Sequence, residues 1–137
     1  MSQCDFTVPS ADTTSAVVDL PSLEQIRDYA ANALLCCPLK IQNILYDTQI
    51  IVENYAKRSV LDELKIKKKS ELLGLYRLMK NTKGRDLLLY RCPLILYARS
   101  LGEPISSVVA RVTVYEISHR ANCISLRKQW LDKIRRQ

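Results

Sequence analysis

Apolar residues recur at helical spacing through most of this chain, and few turn-forming residues interrupt them. Pro21-Ser22 opens the first such segment, with Ser22 placed to cap a helix and Gln25 three residues on to complete a capping box. Leu23, Ile26, Tyr29, Ala30, Ala33, Leu34 and Cys37 then mark one apolar stripe, and Pro38 ends that helix or opens the next. A second helix is expected over about 38–57, with Ile41, Ile44, Leu45, Thr48, Val52 and Tyr55 inward. Ser59 would cap a third through Leu61 and Leu64. Helical pattern resumes at Ser70-Glu71 with Leu72, Leu75, Tyr76 and Met79, leaving 59–81 as one bent helix or two. Asn81-Thr82-Lys83-Gly84 reads as a loop. The apolar run 87–101 contains Pro93, so a kink or break is expected near Arg91-Cys92. Pro104 suits the start of a helix through Val109, Val112, Tyr115 and His119. Leu126, Trp130, Leu131 and Ile134 form the stripe of a last helix capped by Asn122 or Ser125.

Three Gly and five Pro in 137 residues leave little material for hairpins, which disfavours an all-β fold. The expectation is an all-α fold: a compact bundle of about five or six helices (21–137, one domain) behind a flexible N-terminal arm (1–20). The alternative is α+β with a strand near 111–117, where Val112, Thr113, Val114 and Ile117 are β-branched. A 47% hydrophobic content is enough for a core without disulfides or metal. No apolar run of spanning length and no signal peptide is visible, so no integral membrane segment is expected. The five Cys are odd in number, with Cys36 and Cys37 adjacent, and read as reduced thiols in cytoplasm or nucleus.

Charge changes the picture. Residues 1–56 carry seven acids against two bases, and residues 57–137 carry nineteen bases against seven acids. A basic excess gathered in one stretch attracts polyanions. It falls into three groups: Lys57, Arg58, Lys65, Lys67, Lys68 and Lys69; Lys80, Lys83 and Arg85; and Arg120, Arg127, Lys128, Lys133, Arg135 and Arg136. Such side chains neutralise phosphates. Tyr76, Tyr90, Tyr97 and Trp130 lie among them, with core packing the plainer role for Tyr76 and Trp130. The expected function is therefore non-enzymatic nucleic-acid binding, RNA ahead of DNA. Self-assembly or a protein partner is the alternative, with a homodimer among the options. So is a matrix-like role on anionic membrane.

Catalytic chemistry finds little support in the sequence. His119 is the single histidine, and no Gly-rich phosphate loop, GxSxG elbow or HExxH occurs. No enzyme and no cofactor is expected. His119 and Cys123, four apart, point the same way on a helix, and other Cys would have to complete a zinc site. Ser100-Leu101-Gly102, Ile105, Val108-Val109 and Glu116-Ile117, with Ile66-Lys67-Lys68-Lys69, resemble parts of the Alba-type nucleic-acid-binding proteins. That match needs a long insertion and leaves no room for the family's terminal hairpin, so no family is assigned on it.

Overall fold

The computed structural model describes residues 20–78 and 84–136, so the expected arm lies almost wholly outside the described residues. Helix α1 (Leu23–Leu35) starts as the sequence predicts. The Gln25 N–H donates to Ser22 Oγ at 3.1 Å, and the Ser22 N–H donates to Gln25 Oε1 at 2.8 Å. Then follow α2 (Leu39–Leu45), β1 (Thr48–Glu53), α3 (Arg58–Glu63), a 3-10 turn (Lys69–Glu71), β2 (Gly74–Leu78) and β3 (Arg85–Tyr90). Helix α4 (Arg91–Leu101), α5 (Ile105–Arg120), a second 3-10 turn (Ile124–Leu126) and α6 (Arg127–Arg135) complete the chain.

The fold is α+β, which corrects the all-α expectation. The three strands form one mixed sheet in the order β1-β3-β2, with β1 parallel and β2 antiparallel to β3. None of them lies at 111–117, which is the middle of α5. All three strands fall in segments expected to be helical: β2 replaces the helix expected through Leu75 and Tyr76, and β1 and β3 share one reason. In β1, Ile50 and Val52 pack to one side of the sheet and Ile51 to the other. In β3, Leu87, Leu88, Leu89 and Tyr90 are all 5% exposed or less. A strand covered on both faces shows an unbroken apolar run, which periodicity does not separate from a buried helix. A break was expected near Arg91-Cys92, ahead of Pro93, and it is the strand-to-helix junction. Proline sits in the first turn of α4, where its missing N–H costs nothing. Gly102 ends α4 with φ 67°, a left-handed conformation that glycine adopts without a Cβ penalty.

The sheet separates two apolar layers. On one face Ile50, Val52, Tyr76, Leu87 and Leu89 meet α1, α5 and Trp130 of α6. On the other, Ile51, Leu75, Leu88 and Tyr90 meet Val60 and Leu61 of α3, with Leu64, Ile66 and Leu72. Tyr76 and Trp130 are core residues, 1% and 0% exposed. The Arg91 guanidinium ties the entry of the chain to this frame, its Nε donating to the Pro21 carbonyl at 2.6 Å. Among the described residues no helix is long and apolar enough to cross a membrane.

Burial of acidic protons sets an alkaline limit on stability. Burial pushes the Cys37 thiol up from 9.0 to about 12, and the Tyr90 hydroxyl up from 10.0 to about 12. Both groups are raised in the folded state, so their contribution is complete below the unfolded values and lost as pH rises through the folded ones. Urea midpoints should hold up to about pH 9 and fall steadily toward 12. Tyr90→Phe should flatten the upper part of that fall; an unchanged slope would remove Tyr90 from the account. Cys36, Cys37 and Cys123 are free thiols. Cys92 is disulfide-bonded, so the expectation of reduced thiols throughout fails there.

Candidate functional site

The basic residues do not form one surface. Lys57, Arg58, Lys65, Lys67, Lys68 and Lys69 are exposed at the start of α3 and after it, on the face of the sheet opposite α6. Arg58 pairs with Asp62 at 3.0 Å, and the Lys69 ammonium lies 4.3 Å from the centre of the Tyr55 ring. Arg127, Lys128, Lys133, Arg135 and Arg136 belong to α6 and its end, and Arg120 ends α5; this group lies on the side of the Trp130 core. Arg85 is half-buried at the start of β3, and Lys80 and Lys83 lie outside the described residues. The sheet stands between the first group and the last.

A different set of side chains comes together at the other end of the sequence pattern. Helix α5 buries Val108, Val109, Thr113, Val114 and Ile117. Its remaining face carries Val112, Tyr115, Glu116 and His119, spaced three, one and three apart, which places them on one stripe. Through Val112 and Glu116 that stripe borders the outer edge of β2, which no other strand pairs among the described residues. The Tyr90 N–H donates to the Leu73 carbonyl at 3.1 Å, which fixes the alternation of the antiparallel ladder. By that alternation the backbone groups of Leu75 and Arg77 point to β3, and those of Gly74, Tyr76 and Leu78 point away. Between edge and helix lies a groove of 330 Å³ lined by Leu73, Gly74, Tyr97, Val112, Tyr115 and Glu116, among others. Gly74 makes this approach possible. A Cβ there would lie 3.1 Å from the Leu88 carbonyl oxygen and 3.2 Å from Val112 Cγ1.

Glu116 is the ionisable group that burial perturbs in this groove. Desolvation raises its pKa above the ordinary 4.5. A hydrogen bond from the Tyr76 backbone, Arg120 and His119 pull it part of the way back. Glu116 thus connects α5 to the outward side of the edge strand. A raised carboxyl contributes stability that is complete below 4.5 and lost as pH rises through the folded value, so at neutral pH ionised Glu116 is a cost. Glu116→Gln should therefore raise the melting temperature at pH 7 and leave it unchanged in acid below 4.5. Scanning calorimetry at the two pH values checks this, and a lower midpoint at pH 7 would contradict it.

Beyond the stripe, α5 closes with a Schellman turn. The Cys123 N–H donates to the Ser118 carbonyl at 2.8 Å and the Asn122 N–H to the His119 carbonyl at 3.2 Å, with Asn122 at φ 56°. The chain folds back so that the Arg127 guanidinium lies 4.4 Å from the centre of the Tyr115 ring. Arg127 Nε also donates to Ser118 Oγ at 2.9 Å.

The family model of the zincin-like metallopeptidases matches residues 45–134. The match spans β1 to α6 and more than half of the chain, so the protein belongs to the zincin-like metallopeptidase family. Comparison with curated proteins finds no match. Membership points to a possible enzyme, a peptidase, and overturns the expectation of a non-enzymatic nucleic-acid or RNA binder. It also directs attention to Tyr115-Glu116-Ile117-Ser118-His119. In zincins a helix carries H-E-x-x-H, two histidines one turn apart that hold zinc and a glutamate that serves as base. This segment keeps the glutamate and the second histidine and has tyrosine at the first position. A search for the whole motif misses it; the pairing of Glu and His three apart on a helix was the available signal.

The residues present do not fit the family's zinc. Tyrosine replaces one of the two imidazoles, and its ring is already covered by a guanidinium. Among the described residues no three His, Cys, Asp or Glu side chains are grouped to hold a metal ion. That finding includes His119 with Cys123, the pair singled out by spacing. Of the other Cys, Cys36, Cys37 and Cys92 are all buried in the core.

Proposed function

We propose that the protein engages an extended peptide segment along the outer edge of β2, in the groove that α5 walls off, in a peptidase-like role. The supporting observation is the coincidence, on one groove, of a strand edge that no other strand pairs among the described residues, a glycine that lets the helix approach it, and Glu116. Edge strands bind extended peptides through main-chain hydrogen bonds, and side pockets choose among side chains. The outward groups of Gly74 supply the first element, while the Tyr76 N–H is given to Glu116. Leu73, Tyr97, Val112 and Tyr115 offer apolar contacts for alternate side chains of the peptide. Glu116 is held near the strand with a raised pKa and can accept or return a proton beside the bound backbone.

Fluorescein-labelled β-casein, an unstructured protein, is a suitable probe. Anisotropy titrations should show saturable binding that an excess of unlabelled casein reverses. Mass spectrometry of the same mixtures reads whether the bound chain is cut. Absence of saturable binding would end this reading.

A further inference from the structure

We infer that this chain has given up the zinc of its family at the α5 motif and holds Tyr115, Ser118 and Arg127 together in its place. Three observations carry the inference. In metzincins the zincin motif lengthens to H-E-x-x-H-x-x-G-x-x-H, with a glycine three residues after the second histidine and a third ligand three further on. Here those two positions are Asn122 and Ser125. Asn122 adopts φ 56°, the conformation for which glycine is favoured, so the turn is present although the glycine is not. The ligand positions before and after that turn are Tyr115 and Ser125. Of the three metal-binding side chains in the signature, only His119 remains. A tyrosine side chain, a serine hydroxyl and one imidazole are a poor donor set for zinc, which takes His, Cys or carboxylate ligands.

The second observation is what occupies the first position. Tyr115 is 44% exposed, yet its ring is covered by the Arg127 guanidinium. Arg127 is fixed in turn by Ser118 Oγ at 2.9 Å, and Ser118 lies within the motif itself. A cation over an aromatic face is attractive, and the same cation repels a second one brought beside it. The third observation is the grouping of donors: among the described residues no cluster elsewhere replaces the missing ligands.

The test uses the full chain and Co²⁺ as the probe, read by isothermal titration calorimetry and by the visible absorption of tetrahedral Co²⁺. The native chain should show no stoichiometric site with that spectrum. Tyr115→His combined with Ser125→His should gain one equivalent and the tetrahedral bands, and adding His119→Ala should remove them. Circular dichroism establishes that the double variant is folded, and the native-chain titration decides the question even where it is not. One equivalent of Co²⁺ on the native chain, lost in His119→Ala, overturns the inference. Metal that persists in His119→Ala belongs to the thiols and leaves it standing. The inference concerns the same groove as the peptide reading, but the two fail separately: casein binding decides one, and cobalt stoichiometry the other.

Discussion

Trp130→Ala is expected to cost about 3–5 kcal/mol, the range for deleting a large buried aromatic. For a domain of this size that corresponds to a fall of roughly 10–20 °C in melting temperature. Helix α6 is short, and most of its surface is charged; Trp130 is its one buried residue. The indole is 0% exposed and shares a core with Ile26, Ala30, Val109, Val114 and Ile117. Its Nε1 donates to the Ala33 carbonyl at 2.8 Å, which joins α6 to the last turn of α1. That carbonyl also accepts from the Cys36 N–H at 3.1 Å, so losing the indole does not leave it unpaired. The expected cost is therefore mainly the cavity and the lost apolar transfer. Trp130→Phe separates these contributions: it keeps most of the volume, loses the hydrogen bond, and should cost about 1–2 kcal/mol. Urea unfolding of both variants measures the difference. An alanine variant within 1 kcal/mol of the native chain, on the order of a surface change, would show that α6 is not anchored here.

Gly74→Val should act on stability and binding together. The new Cβ would lie 3.1 Å from the Leu88 carbonyl oxygen, 3.1 Å from Leu89 Cδ2 and 3.2 Å from Val112 Cγ1. A leucine methyl can turn aside, but a main-chain oxygen inside a ladder cannot. The valine methyls would then press on α5 and widen or skew the groove. Overpacking of this kind costs about 1–3 kcal/mol. Labelled casein should bind at least about tenfold more weakly, corresponding to about 1.4 kcal/mol of affinity. Gly74→Ala should fall between the two proteins in both respects. Native casein affinity in the valine variant, with the stability loss present, would separate Gly74 from peptide engagement and return it to packing alone.

The charge sorting illustrates how a sequence property and a surface differ. Nineteen basic side chains in residues 57–137 form one excess along the chain. In space, the α3 group and the α6 group lie on opposite sides of the β1-β3-β2 sheet, because strands from the same stretch are threaded between them.

Local sequence determined what local interactions hold. Ser22 and Gln25 start α1 because capping needs only residues three apart. Pro93 and Pro104 mark helix starts because ring geometry acts on the neighbouring peptide. Tyr76 and Trp130 were recognisable as core from the apolar stripes around them. The tertiary structure decided the rest. Ile50-Ile51-Val52 and Leu87-Leu88-Leu89 are strands because helices or turns cover both faces of the sheet, and that cover comes from segments far away in the chain. The groove followed the same rule. Glu116 is an ordinary helix residue in sequence; it becomes part of a site only where Gly74, some forty positions earlier, lets α5 lie against the outer strand of the sheet. Side-chain spacing is set by one helix, but the strand it faces is set by long-range packing, which no local pattern encodes.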